Sequence, residues 1–193
     1  MKGERKGRFS KISQDTFSQL QVEAGVLLKK FDPESPELVD EDIICATTGG
    51  INPTCVASYS DFGEDIDNVP NGMKELMRLD GYDCSLGFTA LNTTPEVIRL
   101  ALGAADVDAE SGKITPRREL KDTDFADIWW VGDRSDNGLV AIRLINALST
   151  SGLSLQTTKN GKGQISVTLS GHVSINEQDK VPMEFYVQDG EEA

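Results

Sequence analysis

In the second half of the chain, apolar and polar residues alternate with a period of two. Across residues 164–175, Ile165, Val167, Leu169, Gly171, Val173 and Ile175 fall on one side, and Ser166, Thr168, Ser170, His172 and Ser174 on the other. This pattern predicts a strand with one buried and one hydroxylated face. The hydroxylated face is either plain solvent surface or the wall of a wet channel or polar subunit seam. Residues 125–132 (FADIWWVG) and 138–148 (GLVAIRLINAL) predict two more strands joined by a turn over Asp133–Gly138. LSLQTT (153–158) and MEFYVQ (183–188) add two others. Asn137-Gly138 and Asn160-Gly161 mark hairpin turns.

The first half is less regular. FSQLQVEAGVLLKKF (17–31) reads as two strand segments with a bulge at Gly25. Residues 32–42, with two prolines and six acids, predict an exposed crossover, and IICAT (43–47) a short strand. From about 49 to 72 the turn formers GG, NP, FGEDIDN and VPNG predict a long polar loop, with VASYS (56–60) a possible strand inside it. MKELMRL (73–79) fits either a short helix or an extended pairing. From Tyr82 the alternation Tyr82, Cys84, Leu86, Phe88, Ala90 predicts a half-buried strand with Cys84 as a core residue. The clearest helix spans about 94–104: Thr93 or Thr94 caps it, Pro95 suits its first turn, and Gly103 stops it. Val97, Leu100 and Ala101 form the stripe that packs on a sheet. Residues 106–124 read as a charged linker holding Lys113, Arg117, Arg118 and Lys121. The fold class is mainly β with one flanking α-helix, in one domain over about 15–190.

Charge changes this picture at one end. The chain carries a net charge of −13 over 193 residues, which repels phosphates and disfavours duplex binding as the main task. The charge is uneven: Lys2, Arg5, Lys6, Arg8 and Lys11 against Glu4 leave 14 basic and 31 acidic residues, −17, for the rest. Residues 1–14 are therefore expected to be a flexible basic arm, either frayed or laid on an acidic neighbour. Candidate contacts are Arg5, Lys6 and Arg8 with the acids Asp61, Glu64, Asp65 and Asp67, or with the acid-rich crossover 32–42. The N-terminus lacks an apolar signal core and no stretch is long enough for a membrane helix, so a cytoplasmic chain without a membrane anchor is expected.

Candidate chemistry is sparse. Cys45, Cys55 and Cys84 have neither CxxC nor zinc spacing. They read as ordinary reduced cysteines. His172 has no local acid or nucleophile motif, and no GxSxG elbow or GxxxxGK[ST] loop occurs. Asp65 as the start of a calcium loop would put Pro70 where glycine is needed, and Asp133 as the start would put Leu144 where a bidentate Glu is needed. No enzyme, cofactor or metal is expected. Trp129 and Trp130 are adjacent, so on a strand they face opposite ways: one indole enters the core, and the other packs under a loop or anchors a partner.

Taken in order, FGEDIDNVPN, KELMRLDGYDCSLGFTALNTTPEVIRLALGAAD, ITPRRELKDTDFADIWWVGDRSDNG, NALSTSGLSLQTTKNGKGQISVTLSGHVSI and VPMEFYV resemble the major tail, or tail tube, proteins of long-tailed bacteriophages of Gram-positive bacteria. The similarity runs from about residue 15 to 188. It implies two packed antiparallel sheets, a sandwich or split barrel, with a flanking helix. It also implies rings of six subunits stacked head to tail into a hollow tube, with a tape-measure protein and a tail terminator as partners. DNA would pass through the lumen without specific binding, and the chain would reside in the virion tail after assembly in the host cytoplasm. The long loop and the arm would contact the adjacent ring. An inner-tube subunit of a tail-like bacteriocin or a secretion-type contractile particle is the alternative.

Overall fold

The computed structural model describes residues 12–190. Arg5, Lys6 and Arg8, and with them most of the expected basic arm, lie outside the described residues. Its last residue, Gln14, opens a 3₁₀ turn (Gln14–Thr16) capped by Ser13.

The described residues form ten strands and one α-helix: β1 (Gln21–Leu28), β2 (Thr47–Asp61), β3 (Met77–Ala90), α1 (Pro95–Leu102), β4 (Ala105–Val107), β5 (Ile114–Pro116), β6 (Ala126–Arg134), β7 (Leu139–Ser149), β8 (Ser154–Gln156), β9 (Gln164–Ser170) and β10 (Met183–Gln188). All pairings are antiparallel. One layer is built from β1, β6, β7 and β10, the other from β2, β3, β9 and β8. They are joined because β7 pairs with β6 and β10 along most of its length and then, at Leu148 and Ser149, with β9. The layers face each other across one core. Leu27, Ile128, Trp130, Ile142 and Leu144 of the first meet Cys84, Leu86, Phe88, Ile165, Val167 and Leu169 of the second. β4 and β5 make a separate small sheet.

The alternating segments fold as their period dictates. In β9, Ile165, Val167 and Leu169 are buried while Gln164, Ser166 and Thr168 are exposed. β10 matches its predicted span residue for residue. The strand expected over 164–175 stops at Ser170 for a packing reason. A Cβ on Gly171 would sit 2.8 Å from Leu144 Cδ1 and 2.9 Å from the Pro182 carbonyl oxygen. The next amide, His172 N–H, donates to Ile145 of the other layer.

β1 carries the expected bulge: its register against β6 shifts between Val22 and Val26. Gly25 has φ +71, and a Cβ there would lie 2.5 Å from the Val131 oxygen. The bulge turns the Ala24 carbonyl toward Trp130, whose Nε1–H donates to it at 3.0 Å. Helix α1 is capped by Thr94, which accepts from Val97 N–H at 3.3 Å, and stops at Gly103 with φ +77. Val97 and Ala101 are its buried stripe.

Two expectations are corrected. The long polar loop expected from 49 to 72 is strand as far as Asp61, and only about 62–76 is turn. Gly49 and Gly50 form a bulge with positive φ inside β2 rather than ending it. Pro53 is compatible because β2 is an edge strand. The 73–79 segment takes the extended alternative from Met77 onward. The charged linker 106–124 contains the β4–β5 pair and a 3₁₀ turn at Asp122–Asp124. Arg117 ties this segment together, with ion pairs to Asp106 at 2.9 Å and to the buried Asp124 at 2.5 Å. Burial pushes the Asp124 carboxyl up, but the Lys121 backbone N–H and the Arg117 guanidinium outweigh it and hold the group below the usual carboxylate range.

Candidate assembly surface

The paired strands β2 and β3 run well past the sandwich core. Counting from the core outward, Cys55 pairs with Cys84, Ala57 with Tyr82, Tyr59 with Leu79 and Asp61 with Met77. Asp80 is an extra residue on β3, because Ser58 faces Gly81 while Tyr59 already faces Leu79. Cys84 is the last buried residue of β3 in this direction. Beyond it the side of the sheet that was the core wall continues as Ala57, Tyr82, Tyr59, Leu79 and Met77, ending at Asp61, and of these Tyr59, Leu79, Tyr82 and Met77 are exposed. Tyr59 is 60% exposed and Leu79 44%. The opposite side of this ribbon carries Ser58, Ser60, Arg78 and Asp83, with Val56 its one exposed large apolar residue among those described, so the ribbon is amphipathic with the greater part of its exposed apolar surface on the core-wall side.

At its end the ribbon closes through an acidic turn. The two carboxylate oxygens of Asp61 each accept a backbone N–H at 2.8 Å, from Gly63 and Gly72. These bonds hold its carboxyl below the usual range. Glu64, Asp65 and Asp67 are exposed around the same turn, as are Phe62 and Ile66. The four sequence-predicted acids are thus brought together, although Asp61 acts inward on the turn and only the other three are free to meet a partner.

The core wall is also uncovered at two edges of the body. On β10, Phe185 and Val187 stand opposite Ile142 and Val140 and are exposed. On β8, Leu155 stands opposite the fully buried Ile165 and is exposed. Uncovered apolar wall thus lies at the ribbon and at both of these edges.

The outer face of the β2–β3–β9 layer has different chemistry. Thr54, Ser85 and Ser170 form one cross-strand row, Asn52, Gly87 and Thr168 the next, and Thr48, Thr89 and Ser166 a third. Thr54 and Ser85 hydroxyls lie 2.7 Å apart. No Lys or Arg stands in these rows.

Both tryptophans are buried within the chain, Trp129 at 7% and Trp130 at 8% exposure. The anchor expectation is therefore corrected for both: neither indole is presented to a partner. Trp130 enters the main core. Trp129, on the other side of β6, is enclosed by Phe31 from the 29–46 crossover (5.7 Å, edge-on), Tyr186 (5.6 Å) and the Arg143 guanidinium (5.5 Å). Arg143 is fixed in turn by Asp127 and Glu184, at 2.5 and 3.1 Å.

The remaining candidates are structural in their surroundings. The half-buried His172 places Nδ1 3.1 Å from the Asn146 carbonyl, which can only accept, so Nδ1 carries the proton. A cavity of about 340 Å³ beside α1 is lined by Lys29, Glu96, Arg99, Asp124 and Ile128. Its charged groups are already engaged: Lys29 with Glu96 at 2.9 Å, Arg99 with the Thr123 carbonyl, and Asp124 with Arg117. Among the described residues, no group of three or more His, Cys, Asp or Glu is placed to hold a metal ion, and no helix is long and apolar enough to cross a membrane. No family model, curated protein or solved structure matches the chain.

Proposed function

We propose that this chain is a structural subunit of a phage tail tube, six copies closing into a ring and rings stacking into a hollow conduit for DNA. The observation that carries the reading is the β2–β3 ribbon with its uncovered stripe of Tyr59, Leu79, Tyr82 and Met77. Apolar faces of this kind mark interaction sites, and a chain that extends its own core wall beyond its core supplies half of an interface. The other half is present on the same chain, in the bared wall at Phe185 and Val187. A ribbon from one copy laid over the β10 edge of the next is a heterologous contact, the kind that closes rings. Free strand edges, which invite uncontrolled association, are hidden by the same step.

The hydroxylated outer face of β2, β3 and β9 supports a lumen wall. Its serines and threonines keep it wet, and the absence of Lys and Arg from its rows leaves passing phosphates nothing to condense on. The chemistry is mechanical rather than catalytic, with no cofactor. A tape-measure protein inside the tube and a terminator at its end complete the proposed set of partners, in the virion tail.

The test is negative-stain electron microscopy with sedimentation velocity on the concentrated full-length chain and on the Tyr59→Glu, Leu79→Glu double variant. Six-fold rings or hollow tubes are expected from the wild type, and monomers with an unchanged urea midpoint from the variant. A wild type that stays monomeric at high concentration, or a variant that assembles normally, overturns the reading.

A further inference from the structure

Cys55 and Cys84 face each other across β2 and β3 with their sulfurs 3.3 Å apart, at the point where the ribbon leaves the core. The kind of pair they make follows from one hydrogen bond. The Cys84 carbonyl accepts from Gly171 N–H at 2.9 Å, on the β9 side. In an antiparallel strand the N–H and C=O of one residue point to the same edge, so Cys84 turns its main-chain groups away from β2. Cys55 and Cys84 are therefore a non-hydrogen-bonded pair, the type in which facing side chains come closest, with Cα atoms about 4.5 Å apart. That lies within the roughly 4.4–6.8 Å over which a disulfide closes.

We propose that Cys55 and Cys84 are a redox-sensitive pair that closes into a cross-strand disulfide on exposure to a small-molecule disulfide, stapling the two strands of the ribbon to each other where they leave the core. Cys55 is the half-exposed member and Cys84 the buried one, which orders the steps. The Cys55 thiol gives up its proton and its sulfur attacks the oxidant, forming a mixed disulfide and releasing one small thiol. Cys84 Sγ then loses its proton and attacks the Cys55 sulfur, breaking the mixed disulfide and releasing the second thiol. Two protein thiols are oxidised to one disulfide, the small disulfide is reduced to two thiols, and those thiols take up the two protons.

Burial, then the neighbouring Cys55 sulfur, pushes the Cys84 thiol up to about 12. The thiolate is the attacking form, so closure is slow at neutral pH and speeds up in mild alkali. Cys45 is buried, its thiol pushed up by burial to about 11, and is an internal control. The staple closes a loop of 30 residues from 55 to 84. Constraining a loop of that size in the unfolded chain raises the melting temperature by roughly 10 °C. This inference stands apart from the tube reading, since it concerns the single chain.

The experiment incubates the full-length protein with oxidised glutathione in mildly alkaline buffer, then alkylates free thiols and maps peptides without reduction. The expected product is two hydrogens lighter than the starting chain, links the Cys55 and Cys84 peptides, leaves Cys45 free and melts higher until dithiothreitol is added. The Cys84→Ser variant should instead accumulate a glutathione adduct on Cys55. A wild-type chain that stops at that adduct, or in which both thiols remain alkylatable after prolonged exposure, overturns the proposal.

Discussion

Replacing Trp129 by alanine distinguishes a residue that holds the fold together from one that would hold the proposed subunits to each other. Its indole is 7% exposed and is closed in by Phe31, Tyr186 and the Arg143 guanidinium. At about 25 cal/mol per Å² over the roughly 200 Å² of a buried aromatic side chain, its burial is worth ~5 kcal/mol. Partial collapse of the surroundings brings the expected loss to about 3–5 kcal/mol, the usual cost of truncating a core Trp. For a domain whose whole stability is ~5–15 kcal/mol this is a large fraction. Urea unfolding of the isolated subunit, followed by far-UV circular dichroism because the fluorescence signal itself is altered, measures it. The companion is Tyr59→Ala on the exposed ribbon, expected to shift subunit stability by no more than ~0.5 kcal/mol while weakening assembly. The reasoning is refuted if Trp129→Ala leaves the subunit's urea midpoint within about 1 kcal/mol of wild type and abolishes assembly, since that is how an inter-subunit anchor behaves.

Gly25→Ala should cost at least about 2 kcal/mol, because the residue sits at φ +71 and its new Cβ would collide with the Val131 oxygen and Trp130 Nε1. A lower urea midpoint with a shifted tryptophan emission is the expected readout. The Asp61 carboxyl is held down by the Gly63 and Gly72 N–H groups, so the order it lends the ribbon turn is fully present above its unfolded pKa of ~3.9 and is lost as pH falls through the lower folded value. The Gly63 and Gly72 amide NMR shifts should accordingly titrate with a midpoint below that of a free aspartate, and a midpoint at or above it would contradict the turn. Assembly of subunits carrying a net −13 should be favoured by added salt, which screens like-charge repulsion over distances of about 10 Å at 0.1 M. Light scattering at low and moderate salt checks this, and equal assembly rates would count against it.

How far the fold could be read in advance depended on where each strand gets its neighbours. β9 and the core half of β3 bury one face against the other layer, so their side chains carry the period of two openly and both strands were legible, although the alternation runs on past Ser170 to Val173 and Ile175, which are exposed. Helix α1 was legible because Thr94, Pro95 and Gly103 are local signals. β2 was not. It is an edge strand that bulges at Gly49-Gly50, and Pro53 stands opposite the core-facing Leu86, where its missing N–H turns to the free edge; each of these residues reads as a turn until β3 is known to lie alongside. The apolar stripe of the ribbon was missed for the related reason that Tyr59 and Leu79 are opposed only through the extra residue at Asp80. Trp129 was undecided because its cover includes Phe31, about a hundred positions away, and no short-range pattern reports such a contact. The Cys55–Cys84 proximity spans 29 positions and likewise appears only with the register.

The strand β7 belongs to both layers, flanked by β6 and β10 over Leu139–Leu144 and then joined to β9 at Leu148 and Ser149. A sandwich held by side-chain contact alone can fail under load by one sheet sliding over the other. Here a force applied to either sheet runs through the covalent backbone of a single strand into the other, so shear must break ladder hydrogen bonds before the layers can part. Pulling the chain from β1 and β9 should therefore give one high rupture event for both sheets, and the part of the molecule free to bend under stress is the ribbon beyond Cys84.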